Sequence, residues 1–228
     1  MTETNNTTNN QIDIVDNTNG LYKVNDVFYT ASDGSAKELF GVRRYVYSCA
    51  YGIASDKNFA DVLKGPQNIT ICEMVGAAIC IVQAAQMTEF RDITTKQIHC
   101  IDNFNAVCYL KALQTAARNH DDMKSNLIYT LMTEEAPWTE VMLGLTTVLA
   151  ERDNLEIKWQ PSHTDLQTHE AKMNDQADVL CSRHMGLIYE TYPRTLTTDQ
   201  EIEHLAQLPP EQRRFRLVEI CINEIIFQ

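Results

Sequence analysis

Residues Val27–Ser35 read VFYTASDGS, a short run of β-type side chains that leads into an Asp-Gly-Ser turn signal. A second β-rich run follows at Val42–Tyr51. We interpret the two runs as a strand, a tight turn at Asp33-Gly34-Ser35 and a second strand, with a third short strand before Glu73. The sequence thus predicts a sheet that begins with antiparallel strands.

Downstream of this start, the spacing of apolar residues alternates between a helical period and short β-type runs. The order of these segments predicts an α/β fold with a mixed five-stranded sheet. Its later strands are joined by β-α-β crossovers, and helices cover its faces. The segments are helix Ile71–Met87, strand Gln97–Ile101, helix Phe104–Ala117, a helix opening at Pro137, strand Leu155–Trp159 and a helix over about Glu170–Tyr189.

Composition divides the chain into three parts. Residues 1–25 begin with a Thr/Asn-rich tract that cannot bury much apolar surface, and we expect them to be disordered or poorly ordered. Residues 26–190 form the predicted domain. Residues 191–228 form a helical C-terminal extension, in which a Thr198-x-x-Glu201 capping box opens one helix and an apolar stripe marks a last one.

The chain is acidic, since its 228 residues carry a net charge of −12. This net charge excludes a generally positive protein surface that binds nucleic-acid phosphates without sequence specificity. The longest apolar run, Met74–Val82, has about half the length of a membrane span, so we expect no membrane contact. Seven cysteines without a C-x-x-C pair, and no secretory signal in the first residues, predict a cytoplasmic protein with reduced thiols.

Four acidic residues follow strands or begin helices in this pattern. Asp33 closes the first predicted strand, and Asp102 ends the fourth. Glu73 and Asp178 lie among apolar residues near helix starts. Strand ends and nearby helix starts converge on one crevice in a β-α sheet. A partly buried carboxylate is costly unless it is paired or binds a metal ion, and no Arg or Lys is placed to pair all four. The set therefore predicts a metal site.

Each acid taken alone also has an ordinary structural interpretation. Asp33 fits a turn, Glu73 fits a helix start whose dipole favours acids, and Asp102 fits a helix N-cap. For any single acid this interpretation is at least as good as a role in metal binding. We prefer the metal site because it accounts for all of the acids together.

With these residues the chain resembles a known family, type I ribonuclease H, and above all its retroelement-linked members. The resemblance covers about residues 26–185 and rests on the order of several short motifs. They are Ser32-Asp33-Gly34-Ser35 after a strand, Glu73 on the first helix, Asp102-x-x-x-Ala-Val after the fourth strand, Trp159-Gln160-Pro161-Ser162-His163, and Asn174-Asp175-x-Ala-Asp178.

The resemblance implies an endoribonuclease that hydrolyses the RNA strand of RNA/DNA hybrids with two Mg²⁺ ions, for which Mn²⁺ can substitute. The implied products carry 5′-phosphate and 3′-hydroxyl ends, and the implied partner is a polymerase or reverse transcriptase. The implied metal ligands are Asp33, Glu73, Asp102 and Asp178, and the implied catalytic residues are these four and His163. The substrate-binding residues that we predict are Gly34, Ser35, Asn103 and Asn174.

Three features depart from the family's pattern. The basic, Trp-bearing helical insertion by which some members hold the hybrid is absent from the sequence, since Asn119–Asn126 contains one Arg or Lys, Lys124. The loop between His163 and Asn174 is longer than usual, so His169 competes with His163 for the role of the mobile histidine. Asp175 stands where the family commonly has Glu.

Two other functions stay open at this point, because a fold does not determine a function. One is a nuclease of the same fold that acts on DNA or branched DNA. The other is a non-catalytic interaction subunit of a polymerase complex.

Overall fold

The computed structural model describes residues 15–16, 20–39, 42–64, 68–134 and 138–191. The chain divides into two compact units, Met1–Leu187 and Ile188–Gln228, and the sheet belongs to the first. The strands are β1 (Val15–Asp16), β2 (Tyr22–Val24), β3 (Val27–Leu39), β4 (Val42–Ala50), β5 (Phe59–Val62), β6 (Lys96–Ile101) and β7 (Leu155–Trp159). The helices are α1 (Ile69–Gln86), α2 (Phe104–Arg118), α3 (Leu127–Glu134), α4 (Thr139–Glu151) and α5 (His169–Thr191).

One mixed sheet contains the seven strands found within the described ranges. β1 to β5 pair antiparallel in chain order. β6 pairs parallel with the first part of β3, and β7 pairs parallel with β6. The fold is therefore α/β, with an antiparallel start and a parallel continuation, as the sequence predicts. The sheet is larger than the five strands predicted, because β1 and β2 extend it beyond β3.

Helices cover both faces of this sheet. α1, α2 and α4 share one apolar cluster with β4, β6 and β7, and Ile101 of β6 belongs to it. α5 packs through Met173 and Ala177 on a separate cluster that contains Ile98 and Cys100 of β6. Because successive side chains of a strand point to opposite faces, this alternation along β6 places the two clusters on opposite sides of the sheet.

α1 packs closely against the sheet at Gly76, and several of its other buried residues, such as Ala77 and Ala78, are small. A Cβ atom on Gly76 would lie 3.2 Å from the Cβ of Tyr47 and 3.4 Å from the carbonyl oxygen of Ser48. By length and apolar composition α1 could also cross a membrane, but 56% of that stretch is buried inside the fold. This burial is typical of a core helix.

The structure corrects two predictions about the start of the sheet. Asp33-Gly34-Ser35 does not form a turn, because β3 continues through it and pairs with β4 from Ala31↔Ala50 to Leu39↔Val42. The segment before residue 26, predicted to be poorly ordered, contains β1 and β2, and β2 is anchored by the buried side chains of Tyr22 and Val24.

Some predictions meet the structure only in part. β5 is the third strand expected before Glu73, and α3 is a helix that the sequence analysis missed. The Thr/Asn-rich tract, the helix start at Pro137 and the C-terminal extension lie outside the described residues. The boundaries of the predicted domain stay a prediction.

Candidate active site

Two of the predicted acids lie side by side where the parallel strands end. The last parallel pair of β3 and β6 is Ala31↔Cys100, and Asp33 and Asp102 each come two residues later. Just before them, the buried ring of His99 hydrogen-bonds with the hydroxyls of Thr30 (2.9 Å) and Ser32 (3.1 Å). These cross-strand bonds fix the register and hence the relative position of the two carboxylates.

The side chain of Glu73 extends from α1 toward Asp33 and Asp102. The helix begins behind Asn68, whose side-chain oxygen accepts hydrogen bonds from the N–H groups of Thr70 and Ile71. Gly34 makes room for Glu73, since a Cβ atom there would lie 2.9 Å from the Cδ and 3.1 Å from the backbone nitrogen of Glu73. Glycine in the middle of β3 therefore reflects the close approach of a helix rather than a turn.

The three carboxylates form one cluster. Each of Asp33, Glu73 and Asp102 offers an oxygen atom that lies within 4.8 Å of the corresponding oxygen of the other two. Asp33 is 5% exposed and Glu73 is 3% exposed, whereas Asp102 is half-buried. The ion pairs found within the described residues involve none of the three.

Burial and mutual repulsion shift the ionisation of all three acids. Burial, with the charges of Asp102 and Asp178, raises the pKa of Asp33 to about 7. Burial, then Asp33 and Asp102, raise the pKa of Glu73 well above its usual range. Burial raises the pKa of Asp102, and Asp178 adds to the effect, while a hydrogen bond from Ser162 and the charge of His163 act against it. A bound cation would act against these shifts and favour the ionised form of all three groups.

The donor set fits a hard divalent cation. Atom Oε2 of Glu73 is buried and has no hydrogen-bond partner within the described part of the chain, and such an orphaned oxygen is costly without a ligand. Mg²⁺ and Mn²⁺ prefer oxygen ligands of this kind. Asp33, Glu73 and Asp102 are therefore the residues that could hold a metal ion.

The predicted fourth acid, Asp178, lies on α5 near this cluster but outside the three-residue group. α5 is fixed to the sheet because the Ser48 hydroxyl donates to the Ala177 carbonyl oxygen (2.8 Å) and the Cys181 thiol donates to the Asp33 carbonyl oxygen (3.3 Å). This anchoring brings Asp178 close enough for its charge to raise the pKa of Asp33 and of Asp102.

The two rival histidines have different surroundings. His163 is exposed, has a positive φ of 52° on the loop after β7, and lies close enough for its charge to lower the pKa of Asp102. The Nδ1 atom of His169 hydrogen-bonds with the hydroxyl of Tyr22 (2.9 Å), and its ring packs against Tyr22 and Tyr29. The structure thus places His163 near Asp102 and His169 against β2 and β3.

Two of the four residues predicted to bind substrate, Asn103 and Gly34, have structural tasks as well. The side chain of Asn103 caps α2 by accepting from the Ala106 N–H (3.1 Å), and the N–H of Gly34 donates toward the carboxylates of Asp33 and Glu73. Ser35 is half-buried in β3. Asn174 is 1% exposed, and neither polar atom of its amide has a partner within the described residues, whereas Asp175 is exposed.

Sequence reasoning missed Ser162, whose hydroxyl bonds to the Asp102 carboxylate. Its place directly before His163 in the Trp159–His163 motif was the available signal. Cys181 was also missed, because its contact with Asp33 joins residues that are distant in the chain.

Replacing Gly34 with alanine should damage the fold and the site together. We expect Gly34→Ala to cost about 1–3 kcal/mol of folding free energy, because the new methyl group collides with α1, and to lower any activity that depends on Glu73. Gly186→Ala is the matched control, since within the described residues an added Cβ there would meet nothing within 4 Å beyond its own helix backbone and chain neighbours, and it should stabilise the helix by about 0.5–1 kcal/mol. Denaturant unfolding of both variants measures this. Equal stability of Gly34→Ala and the wild type would contradict the close approach.

Comparisons with known proteins give matches among solved structures only: no family model and no curated protein matches the chain. The PFV RNase H domain is 15% identical, with a TM-score of 0.47, and the match covers 70% of this chain and 94% of that one. RNase H1 from the halophilic archaeon Halobacterium salinarum is 12% identical, with a TM-score of 0.38, and the match covers 70% and 98% of the two chains.

A foamy viral protease-reverse transcriptase, solved in complex with an RNA/DNA hybrid, is 12% identical, with a TM-score of 0.45. That match covers 68% of this chain and only 19% of the viral chain. All three similarities concern the fold alone.

Proposed function

We propose that this chain is a ribonuclease H that hydrolyses the RNA strand of RNA/DNA hybrids with divalent metal ions. The observation that carries the proposal is the cluster of Asp33, Glu73 and Asp102, whose carboxylate oxygens lie within 4.8 Å of one another. A purely structural role for this cluster is unattractive, because three partly or fully buried like charges oppose folding unless a cation neutralises them.

Asp33 is the central ligand in this proposal. Its charge raises the pKa of Glu73, and the charges of Asp102 and Asp178 raise its own pKa. Asp33 is thus coupled to every other acid of the site, and Asp33, Glu73 and Asp102 would together hold the divalent ions. Asp178 completes the ligand set. Bound divalent ions supply an activated water and neutralise the charge that develops on the leaving oxygen.

The residues around Asp102 have supporting roles. Ser162 donates a hydrogen bond that favours the ionised form of Asp102 and so lowers its pKa. His163, exposed on its loop beside Asp102, can take or give a proton at its imidazole on the solvent side of the site. We expect its removal to slow turnover without abolishing metal binding.

Cleavage of defined substrates tests the proposal. With Mg²⁺ or Mn²⁺, the full chain should cut the RNA strand of a hybrid, leave 5′-phosphate and 3′-hydroxyl ends, and spare duplex DNA, branched DNA and duplex RNA. Preferential cleavage of a DNA substrate would show that the substrate is DNA rather than an RNA/DNA hybrid. Absence of cleavage of every substrate with either metal would contradict a catalytic role and favour an interaction subunit. A polymerase or reverse transcriptase partner and a cytoplasmic location stay predictions.

A further inference from the structure

Two large aromatic side chains lie exposed beside the carboxylates. Phe104 is 60% exposed and Trp159 is 45% exposed. Their ring centroids are 5.7 Å apart and their planes meet at 82°, an edge-to-face pair. The other tryptophan of the chain, Trp138, is only 9% exposed. Aromatic rings gain most from burial, so an exposed pair of this size at a candidate active site needs an explanation.

The backbone holds this aromatic pair rigidly next to Asp102. The indole N–H of Trp159 donates to the carbonyl oxygen of Asp102 (2.8 Å), and Trp159 pairs with Ile101 across β6 and β7. Phe104 is the first residue of α2, directly after the Asn103 cap. The polar atom of the indole is therefore satisfied within the protein, and the ring surfaces remain available to a ligand.

The acidic net charge of the chain limits which contacts with a nucleic acid can add affinity beside the carboxylates. The net charge of −12 gives the chain little general attraction for a phosphate backbone. Contact between an aromatic ring and a base or sugar carries no charge, tolerates any sequence and does not depend on counterions. An uncharged contact at the edge of the site adds affinity for a nucleic acid without requiring basic residues.

We propose that the Phe104–Trp159 pair packs against the nucleotide next to the phosphodiester that the carboxylates attack, through its base or sugar. This inference rests on the proposed function, because it places the cleaved bond at Asp33, Glu73 and Asp102. The pair is a positioning and binding element rather than a part of the chemistry. It supplies substrate affinity that the acidic surface cannot supply.

Intrinsic fluorescence tests the contact without any cleavage. The chain has two tryptophans, and only Trp159 is substantially exposed. A noncleavable hybrid with a 2′-O-methyl RNA strand, added to the full chain with Mg²⁺, should quench this fluorescence. The quenching should disappear in Trp159→Phe, which keeps an aromatic ring and leaves the Trp138 signal. Unchanged wild-type fluorescence at saturating hybrid, with binding verified by anisotropy of a labelled strand, would overturn the proposal.

Steady-state cleavage tests the energetic contribution. Phe104→Ala should raise the KM for the hybrid roughly 5- to 150-fold, the range expected for loss of one base-aromatic contact, with a much smaller effect on kcat. The factor should be similar at about 50 and 200 mM salt, because no phosphate contact is lost. Phe104→Tyr should restore the wild-type KM, and Phe104→Leu should not. Leu143→Ala, which removes a 59% exposed apolar side chain on α4, should leave KM unchanged.

The outcomes separate this inference from the proposed function. Hybrid cleavage with an unchanged KM in Phe104→Ala, or full rescue by leucine, would overturn the aromatic contact and leave the nuclease in place. Absence of cleavage by the wild type would overturn the proposed function, and the aromatic contact would then be decided by the fluorescence experiment alone. Because Phe104 is largely exposed, its variants should unfold at the wild-type temperature.

Discussion

Asp102→Asn should reduce the rate of hybrid hydrolysis by roughly a thousandfold or more. The change keeps the size of the side chain and its hydrogen bond with Ser162 but removes a charge from the three-carboxylate cluster. Metal ions contribute several kcal/mol of charge stabilisation to phosphodiester hydrolysis, and each 1.36 kcal/mol is tenfold in rate. Initial rates at saturating Mg²⁺ or Mn²⁺ measure the effect.

Asp121→Asn is the matched control for this substitution. Asp121 is an exposed acid at the end of the α2 region, so the variant has the same change in net charge without touching the cluster. It should cleave at the wild-type rate. Wild-type activity of Asp102→Asn would remove Asp102 from the chemistry, and equal losses in both variants would point to net charge rather than to the cluster.

Without metal, the protein should become less stable as the pH rises from about 5 to 8. The pKa of Asp33 is raised to about 7 in the folded chain, against an ordinary value near 3.9 when unfolded. Between these values the unfolded chain releases a proton that the folded chain retains, so ionisation favours unfolding. The loss of stability begins above the unfolded pKa and is complete once the pH has passed the folded pKa, so between pH 5 and 8 it is on the order of 3 kcal/mol.

Thermal unfolding in a chelator measures this dependence. A loss of this size corresponds to a decrease in Tm of about 10 °C for a domain of this length. Asp33→Asn removes the titrating group, so its Tm should be higher than that of the wild type at pH 8 and should vary less with pH. Mg²⁺ or Mn²⁺ should raise the Tm of the wild type at pH 8 and have little effect on the variant. A wild-type Tm that increases from pH 5 to pH 8 in chelator would contradict the repulsion that we infer.

The acids of the site could be predicted because the sequence places charged residues among apolar neighbours and after predicted strands. Glu73 stands out as a charge within an apolar helix, and the register of two parallel strands brings Asp33 and Asp102 together. The prediction of a turn at Asp33-Gly34-Ser35 was wrong for a physical reason. Glycine after aspartate is typical of turns, but here it makes room for Glu73, a contact with a residue 39 positions later in the chain.

Other features depend on contacts that no local pattern contains. The choice between His163 and His169 could not be made from the sequence, because the hydroxyl of Tyr22 on β2 binds His169 and β2 itself lay in a segment predicted to be poorly ordered. The exposure of Phe104 and Trp159 was equally invisible, since a large aromatic residue at a strand end or helix start is ordinarily expected in a core. Only the tertiary structure shows which apolar residues remain on the surface.

Titration with Mn²⁺, followed by calorimetry or by the electron paramagnetic resonance of the free ion, tests the central claim most directly. At pH 8 the wild type should bind Mn²⁺, with two ions per chain as the proposed mechanism requires. Asp33→Asn and Glu73→Gln should each weaken binding by about tenfold or more, and Asp121→Asn should bind as the wild type does. Failure of the wild type to bind Mn²⁺ at millimolar concentration, or equal binding by all four proteins, would contradict a metal site at Asp33, Glu73 and Asp102.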